Sequence, residues 1–394
     1  VARIEQADAQ VRVAGAALLP SVDAGGNVAR SRGARTTTSG ARPEARTLYG
    51  ANLAATYEID FWGKNRAARQ SAQSTARATR FDKETIALSV MASVAATYFQ
   101  ILAAEARMKI AESNVRIAER SLEAFRARAS VGTATALDIA QQEGVVLQQR
   151  AQIPPLRQQI RQNTNALAIL TGRTPDRITV TGGSFDRIAL PQVGAGLPSE
   201  LLARRPDIAE AEARLAAAEA NVVVARAQMF PSIELTAAGG IQSGAFRALF
   251  DPAATFWTLA AQLSQPIFDG GRLRAQLESE RARYDELVQT YRLAVISAFR
   301  DVEDALVAIE ETAEQERLQQ AVVATARRAQ TISEARLREG TIDLLTLLNT
   351  QQTLFQAQDA LARIRLDRLQ AAIDLYQALG GGWSQPATAP RPTG

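Results

Sequence analysis

From Tyr49 to Phe61 the odd positions are Tyr49, Ala51, Leu53, Ala55, Tyr57, Ile59 and Phe61, and the even positions are Gly50, Asn52, Ala54, Thr56, Glu58 and Asp60. That period-2 alternation predicts a strand over about 48–61 with one apolar and one small-polar face. Trp257, Leu259, Ala261, Leu263 and Ile267 alternate in the same way with Thr258, Ala260, Gln262 and Ser264, predicting a strand over about 256–268. Ile233, Leu235, Ala237, Gly239 and Ile241 face away from Glu234, Thr236 and Gln242 over about 232–242. A weaker set, Val22, Ala24, Gly26 and Val28, opposes Asp23 and Asn27 over about 20–30. Elsewhere the period lengthens. Leu277, Tyr284, Leu287, Tyr291, Val295, Phe299, Val302, Leu306 and Ile309 recur at three-, four- and seven-residue spacings, predicting a helix over 271–339. Its counterpart covers 64–129, and return helices are predicted over 136–171 and 342–379, each ending at a glycine, Gly172 or Gly380. At about 1.5 Å per residue the longest helices would reach on the order of 100 Å. Pro154-Pro155 should break or kink the first return helix, because proline lacks an amide donor and blocks the preceding turn.

The chain repeats itself. Pro20-Ser21 recurs as Pro231-Ser232, and a fixed offset pairs Arg66 with Arg274, Ala67 with Ala275, Gly132-Thr133 with Gly340-Thr341, Leu137 with Leu345 and Gly172 with Gly380. The first repeat is assigned to 1–172 and the second to 206–383, with a helix over 206–229 opening the second. Residues 173–205, rich in Gly and Pro, link them, and the Pro- and Thr-rich tail 384–394 is expected to be disordered. The first copy begins part-way along the helix that opens the second, so the natural protein is expected to start earlier.

Composition removes most enzyme chemistry. Among 394 residues there is no His and no Cys, so the usual zinc, haem and iron–sulfur sites, Ser-His-Asp triads, Cys nucleophiles and disulfides are excluded. No catalytic residue, metal site or cofactor is assigned, and no phosphate-binding glycine loop is present to spend ATP or hold a dinucleotide. Basic residues exceed acidic ones by only four, which gives no reason to invoke nucleic acid. Acidic residues cluster at Asp301, Glu303, Asp304, Glu310, Glu311, Glu314 and Glu316, which is read as a solvated or pore-lining helix face. Arg30, Arg32, Arg35, Arg42 and Arg46 lie in or beside the loop between the first two strands, where lipopolysaccharide phosphates are a conceivable contact. No stretch reads as an uninterrupted apolar transmembrane helix, which excludes a helical membrane protein but leaves a β-barrel open.

A soluble coiled-coil rod would explain the helices, and a soluble sandwich would explain any single strand. No further strands exist to complete a sandwich, and Tyr49, Tyr57, Phe61, Phe256, Trp257 and Phe268 fall towards strand ends, where an interfacial girdle would sit. Four strands cannot close on themselves, and an open edge in lipid leaves backbone groups unpaired, so other subunits must complete the wall. Two copies would give a filled interior and three an aqueous bore. The residues that would line it are Asp23, Asn27, Asn52, Thr56, Glu234, Thr236, Gln262 and Ser264.

The doubled layout, Arg205-Pro206-Asp207-Ile208, Met229-Phe230-Pro231-Ser232-Ile233, Pro266-Ile267-Phe268-Asp269-Gly270-Gly271, Glu339-Gly340-Thr341 and the terminal Ala378-Leu379-Gly380-Gly381-Gly382-Trp383 resemble the TolC-like outer-membrane efflux proteins. The resemblance is nearest to the NodT-type lipoprotein branch that serves RND pumps. It implies an α+β membrane protein: a homotrimer with a twelve-stranded outer-membrane β-barrel, four strands per chain, continued by a long α-helical barrel across the periplasm and belted near 173–205. It also implies an exit duct for drugs or other small molecules, with a periplasmic adaptor protein, an inner-membrane RND pump and outer-membrane lipid as partners, and a lipid anchor upstream of Val1. Type I secretion and metal-efflux ducts share these features.

By the same resemblance the helix-to-helix turns meet the adaptor at Val131, Gly132 and Thr133, flanked by Arg128, and at Glu339, Gly340 and Thr341, flanked by Arg336. Glycine at a tight turn lets a partner approach, leaving terminal carbonyls and the Thr hydroxyl open to it. The family closes its bore with a Leu and, four residues on, an Asp. Here the positions are Leu345 and Asn349, and the second departs from the pattern. Three amides hydrogen-bond without the repulsion of three carboxylates, implying a gate with little dependence on divalent cations or acid. The other reading of Leu345 is simple core packing.

Overall fold

The computed structural model describes residues 1–32, 44–180, 183, 185, 188 and 204–381. Its elements are α1 (Ala2–Ala16), β1 (Ser21–Ser31), β2 (Arg46–Glu58), α2 (Lys64–Ser130), α3 (Ala136–Ala151), α4 (Ile153–Leu170), α5 (Pro206–Ala227), β3 (Ser232–Ser243), β4 (Thr255–Ser264), α6 (Arg272–Arg338) and α7 (Leu344–Ala378). Helix, two strands, long helix and return helix follow in that order in each half of the chain. Of the regions assigned from sequence, 384–394, Trp383, Arg35, Arg42 and much of 173–205 lie outside the described residues.

The chain divides into two compact units, Val1–Lys83 with Asp207–Ala294, and Glu84–Pro206 with Val295–Gly394. The first holds one antiparallel sheet in the order β1-β2-β3-β4. Strands β1 and β2 form a hairpin, as do β3 and β4, and the two hairpins join through β2 and β3, with Tyr49 opposite Ser243 and Glu58 opposite Glu234. The helical part of this unit is built on alanine. Ala67, Ala76, Ala78, Ala213, Ala217, Ala220 and Ala225 are buried, and so small a side chain lets helix backbones approach closely.

Two strands stop earlier than the alternation suggests. Ile59 still donates to the Ile233 carbonyl at 2.9 Å, but Asp60 turns back to accept from the Asn65 and Arg66 amides at 2.9 Å each, capping α2. Phe61 therefore leaves the ladder although its parity is right. Strand β4 ends at Ser264, before Pro266, which has no amide to donate, and Asp269 accepts from Gly271 at 2.9 Å and Leu273 at 3.0 Å to cap α6. A carboxylate competing for the next helix's amides outweighs two more residues of sheet.

In the second unit α2 packs on α3 through Ala118, Leu122 and Val146, and on α7 through Phe125, Leu344 and Leu347. Helices α6 and α7 meet through Val302, Ala305, Leu375 and Ala378, and again through Val323, Ala326, Leu354 and Phe355. The first return helix is interrupted at Gln152, with prolines in the first turn of α4, whereas α7 runs 35 residues unbroken. One reading of the sequence is corrected here. Helix α2 is long and apolar enough, by length and composition, to cross a membrane, because Thr85–Ala104 carries no charge. Ser, Thr and Gln interrupt that run and disguised it. Within it Leu102 and Ala103 are buried against Phe185 and Leu369, whereas Ile86, Val90 and Met91 are exposed.

Candidate pore-lining face and helix turns

Residues directly opposite across antiparallel strands share a face, so the register tests the parity argument residue by residue. Asp23 lies opposite Ala54, Asn27 opposite Gly50 and Asn52 opposite Gly25. Asn52 and Thr56 in turn face Gly240 and Thr236, Glu234 faces Gln262, and Ser232 faces Ser264. Asp23, Asn27, Asn52, Thr56, Glu234, Thr236, Gln262 and Ser264 therefore occupy one face of one sheet. The same face also carries Glu58, which the sequence reading left out although its even position marked it. Lys64 Nζ stands 2.6 and 2.7 Å from the two Glu58 carboxylate oxygens.

The other face is apolar and open. Trp257 is 77% and Leu259 71% exposed, alongside Val22 and Leu53. An uncovered apolar surface of this kind is a binding surface for lipid or another chain. Aromatic rings collect at both ends of the strands. At the helix end Trp62 stacks on Phe230 at 4.6 Å and meets Phe61 edge-on at 4.8 Å, and its indole nitrogen donates to the Pro231 carbonyl at 2.8 Å. At the other end Phe246 contacts Tyr49 at 5.7 Å and Phe250 at 6.3 Å. Trp62, Phe246 and Phe250 were not singled out from sequence, and Phe230 stood only in a motif, because they sit in turns where alternation gives no signal.

In the second unit the two turns have nearly the same geometry. Gly132 has φ +77° and Gly340 φ +73°, the left-handed conformation that closes a helix. Thr133 and Thr341 donate their amides to the Arg128 and Arg336 carbonyls, both at 2.9 Å, and their hydroxyls to the same carbonyls at 3.0 and 3.1 Å. The Thr hydroxyl protons and those carbonyls are therefore engaged at home, contrary to the expectation that they stand free. Val131, Gly132, Thr133, Glu339, Gly340, Thr341 and Arg336 are exposed, whereas Arg128 is half-buried and donates to the Leu337 carbonyl at 3.1 Å, tying one turn to the other.

The helices that follow are capped differently. Thr135 and Asp138 form a reciprocal capping box, while Asp343 accepts from the Thr346 amide at 2.9 Å and its hydroxyl at 2.5 Å. Hydrogen bonds from the Thr135 backbone and hydroxyl hold Asp138 below the ordinary carboxylate range, and the Thr346 hydroxyl and amide do the same for Asp343. One turn into α7, Leu345 is 57% exposed and Asn349 is exposed on the same side. Leu344 and Leu347 fill the core against Phe125, so core packing does not account for Leu345.

The acidic run of α6 is not uniformly solvated. Glu316 is buried and accepts from Arg365 at 3.0 Å, Arg368 at 2.7 Å and Gln320 at 3.0 Å. Burial opposes its ionisation, but the Arg368 and Arg365 hydrogen bonds outweigh that and hold its pKa below the usual glutamate value.

Residues 1–173 and 197–381 match the family described as outer membrane efflux protein. The chain is 43% identical over 388 residues to the pyoverdine export outer membrane protein OpmQ of Pseudomonas aeruginosa, covering 97% of this chain and 81% of that one. It is 35% identical over 376 residues to the probable efflux pump outer membrane protein TtgC of Pseudomonas putida, with 95% and 78% covered. The crystal structure of the Campylobacter jejuni CmeC outer membrane channel matches with a TM-score of 0.91 and 26% identity over 97% of this chain and 82% of that one.

Proposed function

The chain belongs to the outer membrane efflux protein family, an exit duct of the outer membrane, and we propose that it works as a homotrimer whose three sheets share one twelve-stranded wall. The observation that carries this is the one-sided sheet itself. Eight polar positions share one face, the opposite face is apolar and exposed, and β1 and β4 stand at the two outer edges of the sheet. In lipid those edges need partners, and a further copy supplies a β4 for each β1. Three copies place Asp23, Asn27, Asn52, Thr56, Glu234, Thr236, Gln262 and Ser264 around water, with the apolar face and its two aromatic clusters against the bilayer.

The long helices then form a helical barrel from two repeats, 1–172 and 206–383, belted by 173–205. The turns at Val131-Gly132-Thr133 and Glu339-Gly340-Thr341, with exposed Arg336, receive a periplasmic adaptor, and Arg128 holds the paired turns in register for it. A pump in the inner membrane drives export, consistent with a chain related to efflux pump components and without nucleotide-binding motifs. Leu345 and Asn349 form the closure at this end, and the neutral amide makes it insensitive to magnesium. Relatives named for pyoverdine export and for toluene efflux fit a bore that discriminates little by shape.

The chain has no cysteine, so introduced thiols report cleanly. Cysteines scanned along β1 and β4 are expected to cross-link neighbouring chains into a covalent trimer in outer membranes. Exclusive intramolecular products, or a lipid-free monomer, would overturn the reading.

A further inference from the structure

The last pair of the β2–β3 ladder sets Glu58 directly opposite Glu234 on the polar face, with Gln262 on the far side of Glu234 and Ser232 opposite Ser264 closer still to the helices. Like charges directly opposed across antiparallel strands are destabilising, so this pairing is retained at a cost. Lys64 relieves half of it, because its ammonium contacts both Glu58 oxygens at 2.6 and 2.7 Å. Glu234 is exposed and has no cationic partner among the described residues, and the same holds for Asp23, which lies two strands away in the row of Ala54 and Ala238. Within the paired strands, the cation on this face is Arg46, at the opposite end beside Ser31. The face is thus negative where it meets the helices and positive where it meets the loops.

Resting on the trimeric barrel above, we propose that Glu234 determines charge specificity. Three copies form a carboxylate ring at the helix end of the bore that favours cationic over anionic solutes, with Lys64 setting its strength by masking Glu58. Rings of acidic side chains confer cation preference on channels, and low-dielectric walls focus their field into the lumen. Twelve tilted strands spaced by about 4.8 Å give a backbone radius of roughly 12 Å, so side chains project to within several ångströms of the axis. The Debye length is about 8 Å at physiological ionic strength and about 3 Å at 1 M. The ring therefore reaches the axis in dilute salt and loses it in concentrated salt.

The test is the reversal potential of the full-length protein in planar lipid bilayers under a KCl gradient. The native chain is expected to prefer K⁺ over Cl⁻ several-fold in dilute salt and to lose most of that preference near 1 M. Glu234→Gln should lower the ratio at least twofold. Lys64→Gln, which uncovers Glu58, should raise it, and so should Gln262→Glu, which adds a carboxylate to the same row. Opposite shifts from neighbouring substitutions are not what a general distortion produces. A conducting, edge-cross-linked trimer whose reversal potential stays fixed in all three variants would overturn the ring alone. Failure of the native protein to cross-link at β1 and β4 would overturn the barrel, and the ring with it.

Discussion

The hairpin of α2 with α3 and α4 and the hairpin of α6 with α7 share a turn but not a return path. Both turn on a left-handed glycine with the same amide and hydroxyl bonds to the carbonyl five residues back. Both return helices bury a glutamine completely against α2, Gln142 donating to the Ala118 carbonyl and Gln351 to Ser121 Oγ, each at 2.9 Å. Beyond that they diverge. The first return breaks at Gln152 and ends at Gly172, where an added Cβ would meet open space. The second runs unbroken to Gly380, where a Cβ would fall on the Arg204 carbonyl oxygen, while Arg205 donates to the Ala378 carbonyl at 3.2 Å and pairs with Asp301 at 3.3 Å. The turns share one geometry; the far ends do not, since main chain crowds Gly380 and no described residue crowds Gly172.

The sharpest way to break this comparison is at the far ends. Gly380→Ala combines backbone strain with a collision against main chain and is expected to cost about 3 kcal/mol, against about 1 kcal/mol for Gly172→Ala, which meets strain alone. Denaturant unfolding of the second unit's helices in detergent should show that difference, and equal losses would remove the asymmetry. Next come the ion pairs. Glu316→Ala removes the buried carboxylate that Arg365 and Arg368 share and should cost about 2 kcal/mol after allowance for their partial exposure. Glu119→Ala breaks the exposed bridge to Arg150 that joins α2 to α3 and should cost no more than about 0.5 kcal/mol.

At the turns the two hairpins should respond alike. Gly132→Ala and Gly340→Ala are each expected to cost about 1 kcal/mol, since neither site has a neighbour within 4 Å and both need positive φ. Unequal losses in paired unfolding curves would show that the similarity of the turns is superficial. The smallest effect is that of acid. Asp138 and Asp343 have lowered folded-state pKa values, so their caps stabilise the return helices above the usual carboxylate range and lose that contribution as pH falls through the lowered values. Hydrogen-exchange protection factors, taken against the intrinsic rate at each pH, should fall at the first turns of α3 and α7 over that interval. Asp343→Asn, which does not titrate, should abolish the acid dependence for α7 only.

Much of this was legible in the chain because two periodicities do not overlap. Thirteen alternating residues around Leu53 leave no doubt about which side chains share a face, and the register places every polar position of that set together. The glycines at 132 and 340 and the prolines at 154 and 155 punctuate the helices where backbone sterics require. What stayed hidden depends on contacts distant in sequence or on turns without a period. Glu316 reads as one of many surface acids until Arg365 and Arg368 close over it. Glu58 had the right parity, but its pairing with Lys64 requires knowing that the strand ends there and that Asp60 turns the chain back. The uncharged run in α2 was discounted for its Ser and Thr, which a packed helix tolerates.

The junction of β2 with β3 also sets an order of events during synthesis. Each hairpin can form from neighbouring segments, but the central ladder joins residues near 50 to residues near 240, so it cannot begin until the second repeat has been made as far as β3. Closing so large a loop is slow, and until it closes each hairpin exposes two bare edges and a greasy side to solvent. The first hairpin's apolar face and its β2 edge therefore stay without their native neighbour until β3 has been made.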